Sequence, residues 1–521
     1  MFRGSWRGGY PESVWGLTGK GDRAKLPGMM MKERPVAQTL EEANALLGLL
    51  WDALCEEQES NRQVRERLAK VEARLGQNSR NSSRPPSMDR PGKMASKMPQ
   101  RLRTGRKPGG QPGHRGHHRL LLPEAQVDQV QEHWPQACGH CGQELRADRH
   151  AVVGEPVRHQ VIELPPVHAE VTEHQVQRVR CPSCGTCTLA TLPATVPTGA
   201  FGPRLQATVA ILSGRYRLSR REVAAVCTEV LGAPLSVGSV DGLCQDTARA
   251  LAEPVAELAA TLPAAPVAHA DETSWRQAGK NCWLWVVVTA TVTVFTLAFS
   301  RGSQVIQGLL GEDFPGILES DRWSAYTWVD PQRRQVCWAH LKRDFQALVD
   351  LGGSAKAVGK DALRVQAQLF DAWYHAVNDP IARSRLEQTV APLQAEFRTL
   401  LEAGQHVKSA KAAGVCRALL KLWPALWTFV SVPGVAPTNN AAERAIRPAV
   451  LWRKGSFGTQ VPHGNLFVTR LLSVAATCQQ RECSLLHYLT AVCSAQQSRQ
   501  PIPSLLCFAP HDLCLTRPAA A

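Results

Sequence analysis

The chain has 521 residues, with 60 lysines and arginines against 45 acids, a formal net charge of +15 and a pI near 9.3. That length argues against a single compact unit and sets an expectation of about two to four domains. The charge favours a polyanionic partner such as nucleic acid.

The first 37 residues read as a disordered N-terminus, in which Met29, Met30 and Met31 are alternative starts. They lack an apolar stretch followed by a cleavage site, so no secretory signal is evident and a cytoplasmic protein with reduced thiols is expected. From residue 38 to 76 a heptad seam runs through Leu40, Leu47, Leu54, Asn61, Leu68 and Leu75, with Ala43, Leu50, Glu57, Val64 and Val71 three positions on. The polar Asn61 in that column is the kind of residue that fixes register in a parallel coiled coil, so a homo-oligomer is expected; an amphipathic helix packed on its own domain is the alternative. Residues 77–120 form a flexible linker with eleven Lys/Arg and one acid, Asp89, between Gln77 and Arg119. Its composition cannot bury a core, and its charge suits a phosphate backbone as well as it suits solvent.

Residues 121–195 carry two Cys-x-x-Cys pairs, Cys138 with Cys141 and Cys181 with Cys184, each followed by glycine. Thiolates at that spacing grip one tetrahedral Zn²⁺, and the lack of an open position points to a structural ion. His140 and Cys187 are read as bystanders. The alternating sequence between the pairs is expected to form strands that bring them together. In residues 200–262, Ser219 with Glu222 fits a capping box, Gly232 a helix stop and Ser236 a second cap. Two short helices so joined fit a DNA-binding helix-turn-helix and equally a plain helical bundle.

The run Trp283 to Phe299 is short for a membrane span, broken by threonines and rich in β-branched residues, so a hairpin is expected and no membrane. A strand ending near Asp271 precedes it, and "GILESD" forms a strand closed by Asp321. A strand "RQVCWAH" follows, so a mixed α/β sheet carries acids at the ends of adjacent central strands. Residues of about 355–430 read as an inserted set of amphipathic helices, after which Glu443 sits on a helix with Arg444 and Arg447. Acids so arranged can hold two Mg²⁺ for phosphodiester displacement. Each also has a plain reading: Asp271 and Asp321 as turn residues, Glu443 as an i,i+4 partner of Arg447. Glu272 should point away from Asp271.

The stretches "HADETSW", "ESDRWSAY", "CWAHLKRDF" and "PTNNAAERAIRPAVLWRKGSFGTQ" closely resemble the DDE transposases of the insertion sequence 66 family. The resemblance extends from the "SSRPPS" linker through "HQVIELPPVHAEVTEHQ" to "TCQQRECSLLHYLTAV", over roughly residues 38–497. It implies a multidomain α/β protein with a ribonuclease-H-like catalytic core over 263–480 and a helical insertion within it; a C-terminal helix and tail over 481–521 follow, the tail after Pro501 lying outside the resemblance. It implies Asp271, Asp321 and Glu443 as the catalytic, magnesium-binding triad, and His340 and Arg343 as positioning residues for phosphate or substrate. Arg444, Arg447, Arg453 and Lys454 would bind DNA phosphates. The implied activity is cleavage and strand transfer at the terminal inverted repeats of a bacterial mobile element, aided by companion element-encoded proteins. A catalytically inert DNA-binding regulator and a nuclease of the same fold are the competing readings.

Overall fold

The computed structural model describes residues 38–75, 120–193, 196–197 and 199–509. The expectations for residues 1–37, for the basic linker up to residue 119 and for the last part of the tail lie outside the described residues. Two compact units divide the chain after Gln77. The first holds helix α1, Leu40–Leu75, 36 residues long. Thr39 accepts the Glu42 N–H (3.3 Å), and Glu41 and Glu42 place negative charge in the first turn, where the helix dipole favours it. Its heptad leucines lie open: Leu47, Leu50, Leu54 and Leu68 are each exposed by about half or more.

In the second unit the two cysteine knuckles share one local geometry. Cys138 N–H donates to Gln143 O and Gly142 N–H to Cys138 O; Cys181 N–H donates to Thr186 O and Gly185 N–H to Cys181 O. Gly142 and Gly185 have φ of 73° and 76°, the left-handed conformation that glycine adopts without strain. The strands found here, β1 (Arg178–Arg180) and β2 (Cys187–Leu189), flank the second knuckle and pair antiparallel. The expected strands between the knuckles do not form a ladder: residues 152–177 run without strand pairing, with Val157 99% and Val171 88% exposed. An alternating pattern makes a strand only where a partner covers its apolar face, and each knuckle satisfies its backbone within its own turn instead.

Next come α2 (Pro203–Gly214), α3 (Arg220–Glu229), α4 (Val237–Ala250) and α5 (Ala252–Ala260). The capping box is present, with Ser219 and Glu222 exchanging bonds of 3.2 and 2.7 Å, and Ser236 caps α4 through the Ser239 N–H. Of the residues of α4, the exposed ones are Val237, Gly238 and Arg249. Val240, Leu243, Cys244, Thr247 and Ala248 are buried in the cluster shared with α2 and the last helices of the chain, the packing that a helical bundle predicts.

The sheet follows as β3 (Val267–Gln277), β4 (Lys280–Val288), β5 (Thr293–Ala298), then α6 (Ser303–Leu310), β6 (Ile317–Ser320) and β7 (Arg334–Val336), in the order β5-β4-β3-β6-β7. β3, β4 and β5 are antiparallel neighbours; β6 pairs parallel with both β3 and β7. The apolar run is the β4–β5 hairpin. β3 does not end near Asp271. It continues to Gln277, because residues 271–277 pair with β4 and the tight turn is closed by Ala278 and Gly279, both at positive φ (48° and 76°).

After the sheet come α7 (Trp338–Leu351) and the helices α8 (Gly353–Asn378), α9 (Pro380–Ser384), α10 (Leu386–Gly404), α11 (Ala410–Lys421) and α12 (Thr428–Ser431). Trp338 anchors them, its ring centroid 5.5 Å from Phe397 and 5.2 Å from Trp427, while its indole N–H donates to Leu426 O (2.8 Å). Helices α13 (Asn440–Ser456), α14 (Pro462–Gln480) and α15 (Leu485–Gln497) complete the fold. α13 lays Ala442, Ile446 and Ala449 on the sheet face formed by Trp275, Leu284 and Val286. Ala268, Ala270 and Val287 face the opposite cluster with α6 and the helical bundle, so the sheet is covered on both sides. No helix among the described residues is long and apolar enough to cross a membrane.

Candidate functional site: acids where the parallel pairing ends

The parallel register of β3 and β6 ends with His269 opposite Glu319. Asp271 and Asp321 each lie two residues beyond that pair and are level with one another where the two backbones part. One layer below, His269 Nδ1 lies 3.1 Å from Glu319 Oε2, and Glu319 Oε1 accepts the Ala436 N–H (3.0 Å), which draws the loop before α13 onto the strand ends. Pro437 O accepts the Trp338 N–H (2.9 Å). Asn439 then reaches across: its side-chain amide donates to Ala270 O (2.7 Å), and its backbone N–H donates to Cys337 Sγ (3.2 Å). Asn439 stands at the N-cap of α13, but its side chain makes no cap bond there; it ties the helix to the residue before Asp271. Glu443 is thereby held in the first turn of α13 beside the strand acids.

Burial pushes the Asp271 carboxyl well above the usual range, and the charges of Glu272, Asp321 and Glu443 add to the shift. Glu272 points to the other face, as alternation requires, and is compensated there. Its carboxylate accepts from Arg301 (2.7 and 2.9 Å) and from the Tyr326 hydroxyl (2.5 Å). Arg301 is itself stacked between Trp283 and Trp323, 4.4 and 3.8 Å from the ring centroids. Asp321 is held through its backbone: buried Arg334 donates to Asp321 O (2.9 Å) and Ser320 Oγ (3.2 Å), and Asp321 Oδ1 accepts the Trp323 N–H (2.8 Å). Burial lowers the Arg334 guanidinium to about 10.

Among the described residues Glu443 pairs with no arginine. Its Oε1 lies 3.3 Å from His340 Nδ1, in the first turn of α7. Burial lowers the His340 pKa and the Arg343 charge lowers it further, against the pull of Glu443. The structure thus brings Asp271, Asp321, Glu443, His340 and Arg343 into one neighbourhood. Arg444, Arg447 and Lys454 are exposed on α13. Arg453, expected to bind phosphate with them, is half-buried and donates to Thr273 Oγ1 (3.0 Å) and to Ser274, fastening α13 to β3. Sequence reasoning missed Arg334, Tyr326 and the strand-directed Asn439. Their signal is polar residues at positions the strand and helix periods assign to the interior, which single-sequence patterning takes as surface.

In the zinc-binding segment, backbone N–H groups of Cys141 and His140 and the Cys141 side chain lower the Cys138 thiol pKa; Thr186 and Cys181 lower that of Cys184. The thiols of each pair therefore interact, and both microenvironments favour thiolate. Among the described residues, the group of potential ligand atoms lying within 4.8 Å of one another is Cys337, His340 and Glu443 rather than the four knuckle cysteines.

The sequence matches the Transposase IS66 family over residues 198–465, a span that contains Asp271, Asp321 and Glu443. Residues 135–185 match the zinc-finger binding domain of transposase IS66, which takes in all four knuckle cysteines. A family of unknown function matches residues 32–120. The chain is similar to the uncharacterized protein y4hP of Sinorhizobium fredii, 26% identical over 383 residues, which are 66% of this chain and 68% of that protein. It is also 26% identical to the uncharacterized protein y4qI of the same organism over 234 residues, 40% of this chain and 43% of the relative. With the matched span covering half its length, the chain belongs to the IS66 family of transposases.

Proposed function

We propose that this chain binds the terminal inverted repeats of a bacterial insertion sequence and catalyses Mg²⁺-dependent DNA cleavage and strand transfer, with Asp271, Asp321 and Glu443 as the metal-holding acids. The observation that carries the reading is the Asp271 carboxyl at the end of the parallel strands, raised by its burial and then by the charges of Glu272, Asp321 and Glu443. Three carboxylates on hard oxygen, with no cationic side chain among the causes of that shift, form a donor set that fits magnesium. The strand order β5-β4-β3-β6-β7, three antiparallel strands joined to two parallel ones, supports a ribonuclease-H-like core.

Two bound Mg²⁺ ions would supply Lewis-acid activation of the attacking water or 3′-hydroxyl and charge stabilisation of the leaving oxygen. The protein's own residues do the holding. Arg334 and the Trp323 N–H fix Asp321, Asn439 fixes the start of α13 beside Asp271, and His340 stands 3.3 Å from Glu443. Arg444, Arg447 and Lys454 offer exposed cations to phosphates, which position a duplex without reading its sequence. Incubating purified protein with Mg²⁺ and a labelled element end beside target DNA tests the reading on a gel. Joined products are expected. Cutting without joining marks a nuclease of the same fold, and binding without cutting a DNA-binding regulator.

The open heptad seam of α1 fits a homo-oligomer, since an exposed stripe of leucines is covered when a second copy supplies the facing knobs. Each fully buried leucine contributes about 1.5–3 kcal/mol. The double substitution Leu47→Asp and Leu54→Asp is therefore expected to convert an oligomer to monomer in sedimentation at micromolar concentration. An unchanged mass would assign the helix to packing within one chain.

Closure of the two knuckles on one structural Zn²⁺ is the companion reading. Cys181→Ser is expected to remove that ion, measured by colorimetric zinc release, and to increase proteolysis of residues 121–195 while the transposase domain stays folded. Full zinc retention in that variant would break the assignment.

A further inference from the structure

Helices α7 and α13 begin at the same point, and their first turns present an unusual set of side chains. Cys337 is the N-cap residue of α7 and His340 lies three residues on, the spacing that puts two helical side chains on one face. Glu443 comes from the first turn of α13. The Sγ of Cys337, a ring nitrogen of His340 and a carboxylate oxygen of Glu443 all lie within 4.8 Å of one another. His340 Nδ1 and Glu443 Oε1 are buried atoms that make no hydrogen bond among the described residues, although they stand only 3.3 Å apart. Hard carboxylates alone suit magnesium, whereas sulfur, nitrogen and oxygen together suit a borderline-soft ion in tetrahedral geometry, with the fourth position left to water.

We propose that Cys337, His340 and Glu443 form a second metal site, for a thiophilic divalent cation of the Zn²⁺ class, and that its occupation withdraws Glu443 from Asp271 and Asp321. Binding releases the Cys337 thiol proton to solvent, so metal uptake at this site is expected to release a proton and to strengthen as pH rises. The inhibitory consequence rests on the assignment of Glu443 to DNA cleavage; the binding does not. One residue shared by two sites of different softness makes the ions compete. Zinc in excess of the knuckle ion would therefore silence cleavage.

The test uses full-length protein loaded with one Zn²⁺ per chain, then titrated with Co²⁺ in the absence of DNA. One further equivalent is expected to bind with a thiolate-to-cobalt charge-transfer band, and the band is expected to vanish in Cys337→Ser, whose hydroxyl still accepts the Asn439 N–H. His340→Asn is the second variant, expected to weaken cobalt binding at least tenfold. No band in the wild type, or a band unchanged in Cys337→Ser, overturns the site. In a Mg²⁺ cleavage assay, added Zn²⁺ is expected to inhibit the wild type and to lose at least tenfold in potency against Cys337→Ser; equal inhibition of both overturns the competition. A cobalt band in protein that never cuts DNA would sink the cleavage reading and leave the metal site standing.

Discussion

Asp271→Asn is expected to lower Mg²⁺-dependent cleavage by at least about 10³-fold, the rate equivalent of several kcal/mol of lost charge stabilisation, while affinity for an element end stays within about twofold. The amide keeps the size of the side chain and still accepts the Glu272 N–H that Asp271 Oδ1 accepts now (2.9 Å). What it removes is a negative charge on a group that burial and three neighbouring acids already disfavour. The same substitution therefore has an opposite effect on stability. A carboxyl whose folded pKa stands above its unfolded value binds more protons in the native state, so its contribution is fully present below the unfolded pKa and is lost as pH rises through the folded one. Metal-free wild type is expected to lose stability with rising pH across that window. The variant is expected to melt higher at neutral pH, by about 2–4 °C for each kcal/mol of repulsion relieved in a domain of this size. Mg²⁺ should raise the melting temperature of the wild type more than that of the variant, because the ion binds the native acids. Retained cleavage in Asp271→Asn refutes the catalytic assignment; a lower melting point without metal refutes the electrostatic account.

The readable parts of this fold were the local ones. Ser219, Glu222 and Ser236 announce their caps because a cap is made within four residues, and the β4–β5 hairpin announces itself because its apolar run is too β-branched and too short for anything that crosses a membrane. Gly142 and Gly185 were legible for the same reason, each serving a turn of a few residues. The failures are non-local. Where β3 ends depends on β4 and on a turn seven residues beyond Asp271, and whether residues 152–177 pair depends on a partner that the alternating pattern cannot name. Asn439 stands at the N-cap of α13, yet its amide spans 169 positions of sequence to reach Ala270 O. The partners of Arg453 are equally hidden: nothing near it in sequence reveals that Thr273 and Ser274 await it. The site acids stood out by motif resemblance, whereas the arrangement that compensates Glu272 and leaves Asp271 uncompensated needed the tertiary positions of Arg301 and Tyr326.

Glu443→Gln and Arg447→Ala are expected to separate chemistry from binding, although the two residues sit one turn apart on α13. A surface i,i+4 pair would make them partners, worth a few tenths of a kcal/mol, and would give both variants the same small defect. Glu443 instead turns inward to His340 at 3.3 Å and acts on Asp271, while Arg447 is exposed. Replacing Glu443 removes one oxygen ligand from the proposed metal pair, so cleavage is expected to fall at least about 10²-fold with end affinity nearly unchanged, a loss of roughly 3 kcal/mol confined to the reacting state. Removing Arg447 deletes one phosphate contact. Its signature is uniformly weaker binding to specific and random duplexes, with the slope of log affinity against log salt reduced by about 1. At saturating DNA its cleavage rate should return to near the wild-type value, because the acids keep their positions. A filter-binding salt series beside single-turnover cleavage reads both quantities. If Glu443→Gln weakens binding and spares cleavage while Arg447→Ala does the reverse, Glu443 is a surface residue and the metal-holding role passes to another acid of the cluster.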